Sequence, residues 1–278
     1  MPLSPPSKSA AAVSLRSRAL ALWLECDPDT KAEQTRTLWA ERDRHPLDTG
    51  PARADAWFAP QALQAPGRPL RPDLVAPRSV PSRTPFTLAG RAALLHSIAH
   101  IEFNAINLAL DAIWRFDAMP DQFYVDWLQV AGEEAVHFGL LRVHLLGLGF
   151  DYGDFDAHDG LWLMTQRTAE DVMARMALVP RTLEARGLDA TPPLRAKFER
   201  AGDARAVEIL DVILRDEIGH VAIGNRWYRW LCAQRGLDPV AHYGVLAERH
   251  QAPRLRPPFN HAARRAAGFT DVEIALLG

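Results

Sequence analysis

The sequence predicts an all-α fold built on a four-helix core, and three observations predict it. Beyond residue 87, apolar residues recur at helical spacing over four long stretches separated by short breaks. No alternating apolar and polar run of useful length nominates a strand. The chain has 278 residues, 48% apolar and 24% charged, which is enough to bury a core and excludes collagen-like, low-complexity and disulfide-scaffold classes.

Taken in order, Ser14 to Glu25 and Lys31 to Arg42 read as two short helices. Leu20, Trp23, Leu24, Leu38 and Trp39 recur at helical spacing, and Asp27-Pro28-Asp29 supplies the turn and helix start between them. From Pro46 to Pro85 the prolines fall too densely for helix interiors or central strands. That stretch reads as an extended arm, with Trp57, Phe58 and Leu63 expected to hold it across the main domain. The first long helix runs from Leu88 to Phe116 and stops before Met119-Pro120-Asp121. The second runs from Phe123 to Leu148, ended by Gly147, Gly149 and the turn-rich Asp151 to Gly160. The third spans Leu161 to Arg186, with Pro180 inside it and Gly187 placed as a helix-ending glycine. The fourth runs from Asp203 to Arg235, closed by Gly236 and Pro239, and a shorter helix follows from Val240 to Arg249. This divides the chain into an N-terminal helical segment and proline-rich arm (1–86), a bundle (87–250) and a tail packed on it (251–278).

Thirty-two basic against 34 acidic residues give a net charge of −2, so no strong overall field draws the chain to nucleic acid or an anionic bilayer. The run Arg249, His250, Arg254, Arg256, Arg264 and Arg265 is locally basic and reads as solvated surface, with phosphate contact as the alternative. Two widely separated cysteines, Cys26 and Cys232, suit a reducing compartment. The N-terminus lacks the pattern of a signal peptide, and no apolar stretch is long enough to span a bilayer, so the expected location is cytoplasmic with no membrane partner.

The chemistry lies in Glu134-Ala-Val-His137 on the second helix and Glu217-Ile-Gly-His220 on the fourth. Residues three apart share a helix face. Here each pair lies on an otherwise apolar stripe: Val130, Glu134, His137, Leu141 and Leu145, then Ile213, Glu217, His220, Gly224 and Trp227. A carboxylate and an imidazole turned toward a core must find ligands or partners. Glu102 lies in the apolar stripe of the first helix, and Glu184 near the end of the third. The offsets 134 − 102 = 32 and 217 − 184 = 33 make two similar units, each a lone Glu followed by Glu-x-x-His. One Glu from each of two helices and Glu-x-x-His from each of the other two is the ligand set of a carboxylate di-iron or di-manganese site. Hard oxygen with imidazole suits those metals better than a thiolate-loving one. On the third helix Glu170 is the reserve candidate, because Gly187 and Pro180 disturb the helix around Glu184. His96, His100, His144 and His158 read as packed or solvated histidines, although His100 is close enough to Glu102 to approach from the side; Trp114, Trp127, Trp162 and Trp227 read as core.

His100-Ile-Glu102, Glu133-Glu134-Ala-Val-His137-Phe138, His158-Asp-Gly-Leu-Trp162, Glu184-Ala-Arg-Gly-Leu-Asp189 and Asp216-Glu217-Ile-Gly-His220-Val221 together resemble the bacterial ferritin-like family catalogued as domain of unknown function four-five-five. More distantly, Glu184-Ala-Arg and the two Glu-x-x-His pairs are similar to the tRNA methylthio-isopentenyl-adenosine hydroxylase, another ferritin-like di-iron protein. The resemblance implies a ferritin-like bundle and a metal centre. By likeness to di-iron proteins that carry Asp-Glu-x-x-His, it further implies that Asp216 orients His137 and that Glu133 plays the matching part for His220.

The functional expectation is a centre of two iron ions, with manganese or zinc as alternatives, bridged by Glu134 and Glu217 and capped by His137, His220, Glu102 and Glu184. It would serve an oxygen-dependent hydroxylase or oxidase, acting on a small molecule and dioxygen with an outside electron-donor protein. The alternatives are a non-catalytic iron-binding or storage protein and, through the distant resemblance and the basic run, a tRNA-modifying hydroxylase with RNA as partner. A monomer or dimer is expected.

Overall fold

The computed structural model describes residues 13–50, 64–81 and 83–277. Trp57, Phe58 and Leu63, expected to hold the arm, lie outside the described residues. The fold is all-α: among the described residues the one β feature is an isolated bridge between Leu74 and Ala157. No described helix is long and apolar enough to cross a membrane.

Two short helices come first. Helix α1 (Leu15–Leu24) starts where the Ser14 side chain accepts from the Ser17 N–H, and α2 (Pro28–Ala40) starts where Asp27 accepts from Thr30 N–H. Helix α2 begins three residues before the expected Lys31 because Pro28, which needs no hydrogen-bond acceptor, fits its first position. The core then follows as two helical hairpins. Helices α3 (Leu88–Arg115) and α4 (Asp121–Gly147) form the first, packed along their length. The second pairs α7 (Ala185–Arg200) with α8 (Ala204–Gln234), and α8 also packs on α4. Helices α1 and α2 cover α3 and α4 respectively, and α9 (Pro239–Arg249) packs on α8 and on the short helix α6 (Val172–Leu178).

The third member of the core departs from the expected single helix over Leu161 to Arg186. It is composite: α5 (Gly160–Arg167), a break, α6 (Val172–Leu178), a π turn (Val179–Glu184) and then α7. The break is stabilised from inside. Asp171 accepts from the Met173 and Ala174 N–H groups, while buried Arg175 donates to Thr165 O and Thr168 Oγ1 and pairs with Asp111 of α3. Gly187 does not end a helix, because α7 continues to Arg200 through Pro192 and Pro193. Pro192 cannot donate to Leu188 O, and Asn260 Nδ2 donates there instead at 3.2 Å, which removes the usual cost of a freed carbonyl.

Two buried cations fasten the N-terminal segment. Arg16 donates to Ile113 O and Trp114 O at the C-terminal end of α3, where free carbonyls and the helix dipole favour positive charge. Fully buried Lys31 donates to Trp23 O, Gly67 O and Asn107 Oδ1, tying α2 to α1, the arm and α3. The arm crosses the end of α1 so closely that a Cβ on Gly67 would lie 2.1 Å from Leu24 O. Further along the arm, Arg68 pairs with Asp159 at 2.8 Å. The tail forms two more short helices, α10 (His261–Ala266) and α11 (Asp271–Ala275), neither of which was predicted. Arg264, read as part of a solvated basic run, is fully buried and bonded to Asp189 at 2.6 and 3.0 Å. Arg254 and Arg256 remain exposed.

Candidate metal centre

Helical periodicity turns one stripe of each core element inward, and the acids and imidazoles ride on those stripes. Glu102 on α3, Glu134 and His137 on α4, Glu184 at the end of the π turn, and Glu217 and His220 on α8 are all buried. Two sets bring ligand-type atoms close enough to hold a metal ion: Glu102, Glu134 and His137, then Glu134, Glu217 and His220. Glu134 belongs to both sets, whereas Glu217, expected as a second bridge, belongs to one. Glu184 is in neither set. Its carboxyl nevertheless feels the charges of Glu134 and His220, which places it on the Glu217–His220 side. Glu170 is exposed in the turn before α6 and takes no part.

His137 is held at both ring nitrogens and His220 at Nε2. His137 Nδ1 lies 3.2 Å from Glu102 Oε2 and 3.2 Å from Glu134 Oε2, and its Nε2 lies 3.1 Å from Asp216 Oδ2. His220 Nδ1 lies 3.0 Å from Glu134 Oε1, and its Nε2 lies 2.7 Å from Glu133 Oε2. In both rings Nδ1 faces the inner carboxylates and Nε2 faces the acid that precedes the glutamate on the opposite helix. A neutral imidazole has one N–H, and ionised carboxylates only accept, so the metal-free cage must hold extra protons.

The electrostatics follow from that crowding. Burial, reinforced by the charge of Glu134, pushes the Glu102 carboxyl up to about 8, and the same two causes push Glu184 up to about 8. Burial and Glu134 also raise Glu217. Burial works against ionised Glu134 too, but the positive charge of His220 and the close contacts with Glu102, His137 and His220 hold it well below the ordinary range. For His137 burial opposes the charged ring, and contacts with Asp216, Glu102 and Glu134 more than offset it. For His220 burial is likewise outweighed, by the charge of Glu134 and the Glu133 contact, so both imidazoles lie well above their usual value.

A cation fits this donor set. Glu134 Oε1, both oxygens of Glu184, Glu217 Oε2 and His220 Nδ1 are buried and without hydrogen-bond partners among the described residues. The 3.0 Å approach of His220 Nδ1 to Glu134 Oε1 lacks the angles of a hydrogen bond. Unpartnered oxygen and nitrogen atoms on facing helices are costly in a dry interior and natural around a positive ion.

The other histidines lie elsewhere. His96 Nε2 accepts from the Gly153 N–H, His100 contacts Asn104 and Tyr152, His144 contacts Asp203, and His158 accepts from the Gly160 N–H. The four tryptophans read as core are buried. Sequence reasoning missed the groups that hold the π turn. Arg181 donates to Asn225 Oδ1 and Glu273 Oε1, and Thr182 Oγ1 donates to Ala177 O. An arginine three residues before Glu184 on an apolar stretch was the available signal, but its partners lie 44 and 92 residues away. Pro180 packs so tightly on Gly224 that a Cβ there would lie 2.5 Å from the proline ring.

The family model described as "Protein of unknown function (DUF455)" matches residues 24–275. A protein of Haemophilus influenzae (strain ATCC 51907 / DSM 11121 / KW20 / Rd), described as an uncharacterized protein, is 54% identical over 213 residues, covering 74% of each chain. No solved structure matches.

Proposed function

The chain belongs to that family, and from this premise we propose that it is a ferritin-like di-metal protein, an oxygen-dependent hydroxylase or oxidase. The observation that carries the reading is that Glu134, Glu217 and His220 come together with buried ligand atoms that lack hydrogen-bond partners, and that both oxygens of buried Glu184 are unpartnered as well. Carboxylate oxygen with imidazole nitrogen favours iron, with manganese or zinc as the alternative metals. Two ferrous ions, if held there, would supply two electrons for the activation of dioxygen.

The chain's own residues supply the rest. Glu134, common to both sets, would serve both ions, with Glu102 and His137 holding one and Glu217 and His220, joined by Glu184, holding the other. With the cage loaded, Asp216 and Glu133 would each receive an Nε2–H and leave the Nδ1 lone pair of each ring aimed inward. Buried residues on the same helical stripes, Val130, Leu141 and Ile213, keep the surroundings dry, which strengthens charge interactions and shields a reactive centre from water. The reading takes a small-molecule substrate, an external electron-donor protein and a cytoplasmic setting.

The test is metal content. Chain produced with iron should carry about two ions per molecule, and Glu134→Ala should lose most of both, because it removes the shared carboxylate. A wild-type chain without bound metal, or a variant with the full complement, overturns the reading.

A further inference from the structure

We propose that Arg181 and Glu273 are positioning residues for Glu184, so that the segment carrying α11 controls metal occupancy on the Glu217–His220 side of the cage. The inference rests on the di-metal reading above. Both Glu184 oxygens lack hydrogen-bond partners, so no side-chain contact fixes this carboxylate and its place is set by the backbone that carries it. That backbone is the π turn, an intrinsically unfavourable geometry that persists only where its surroundings hold it.

Three sets of contacts hold the turn. Thr182 Oγ1 donates to Ala177 O at 2.8 Å; having spent its one proton there, it accepts from Tyr243 of α9 at 2.9 Å. Pro180 is pressed against Gly224 of α8, one helical turn beyond His220. The third is Arg181, whose guanidinium is buried among the rings of Phe269, Tyr228 and Tyr243 at 4.8, 5.2 and 5.4 Å. It donates to Asn225 Oδ1 and Glu273 Oε1, each at 2.7 Å.

Glu273 and Asn225 are themselves anchored. Glu273 Oε2 accepts from Arg229 Nη2 and the Thr270 N–H, both at 2.8 Å, while Asn225 Nδ2 donates to Ala267 O at 2.7 Å. Residues 267–273 and the π turn therefore form one hydrogen-bonded body across α8. Arg181 lies three residues from Glu184, so withdrawing its buried partner changes the constraint one turn away from the carboxylate.

Stepwise binding of manganous ion to the full chain tests this. Glu273→Gln keeps the shape and removes the charge, and Arg181→Lys keeps the charge and removes the fork. Each should weaken the second ion about tenfold or more while leaving the first within about twofold. Arg16→Met unties α1 from the C-terminal end of α3 and touches neither the π turn nor the tail. It should lower thermal stability and leave both ions unchanged. If Glu273→Gln and Arg181→Lys bind both ions as wild type does, or lose both equally in step with stability, the positioning role is overturned and the cage reading stands. A wild-type chain that binds no manganese, iron or zinc overturns both.

Discussion

Asp216 on α8 lies 3.1 Å from His137 Nε2 on α4, the face of the ring turned away from Glu102 and Glu134. Arg215 pairs with the same carboxylate at 2.8 Å, and these partners together hold Asp216 well below the ordinary carboxylate range against the effect of burial. Asp216 is therefore an anionic acceptor that selects which ring nitrogen of His137 faces inward. Asp216→Asn should weaken metal binding about 10- to 100-fold with the helical content unchanged. Competition against a calibrated chelator measures it, and unchanged affinity would remove the orienting role.

The metal-free chain should lose stability as pH rises from about 5 to about 8. Glu102 and Glu184 stay protonated in the folded state up to about 8 but ionise near 4.5 once unfolded. In that window the folded state binds more protons, so the unfolding free energy falls with pH. His137 and His220 act in the same direction above their ordinary value of 6.5, because their folded pKa is raised. Urea unfolding of chelator-treated protein across this range checks the slope, and metal binding at pH 7 should release protons that a weakly buffered titration records. A rising or flat stability profile would contradict the assigned protonation.

Gly224→Ala should destabilise the chain by about 1 to 3 kcal/mol, since its Cβ would overlap the Pro180 ring in a packed interior. Gly219, on the same helix with open space around it, serves as the control position. Thermal unfolding of the two variants should separate them clearly.

Lys31→Met should cost about 2 to 3 kcal/mol by leaving Trp23 O, Gly67 O and Asn107 Oδ1 without their donor. Burial pulls this amine down to about 7, yet three acceptors surround it, the number an ammonium satisfies. Proteolysis near the arm should accelerate in the variant, because Gly67 loses one of its two ties to the α1–α2 pair.

Much of this molecule was legible in a single chain of letters because helical periodicity is local. The stripes through Glu102, Glu134 and Glu217 announce which side chains turn inward, and both ends of α3, α4 and α8 fall within two residues of the positions their turn residues imply. The third core element was misread for an equally physical reason. Pro180, Gly187, Pro192 and Pro193 are local signals to stop, and the helix overrides them with distant partners. Asn260 serves the carbonyl that Pro192 leaves free, from 72 residues away, and Arg181 finds Glu273 at a separation of 92. Neither pairing leaves a trace in spacing or composition. The sequence by itself determined helix type, the inward faces and the ligand-type side chains they carry. Only the tertiary structure decided that Glu134 stands in both ligand sets, that Glu184 sits on a π turn, and that the tail buttresses it. Those depend on contacts between residues far apart in the chain, whose energies exist only once the helices have packed.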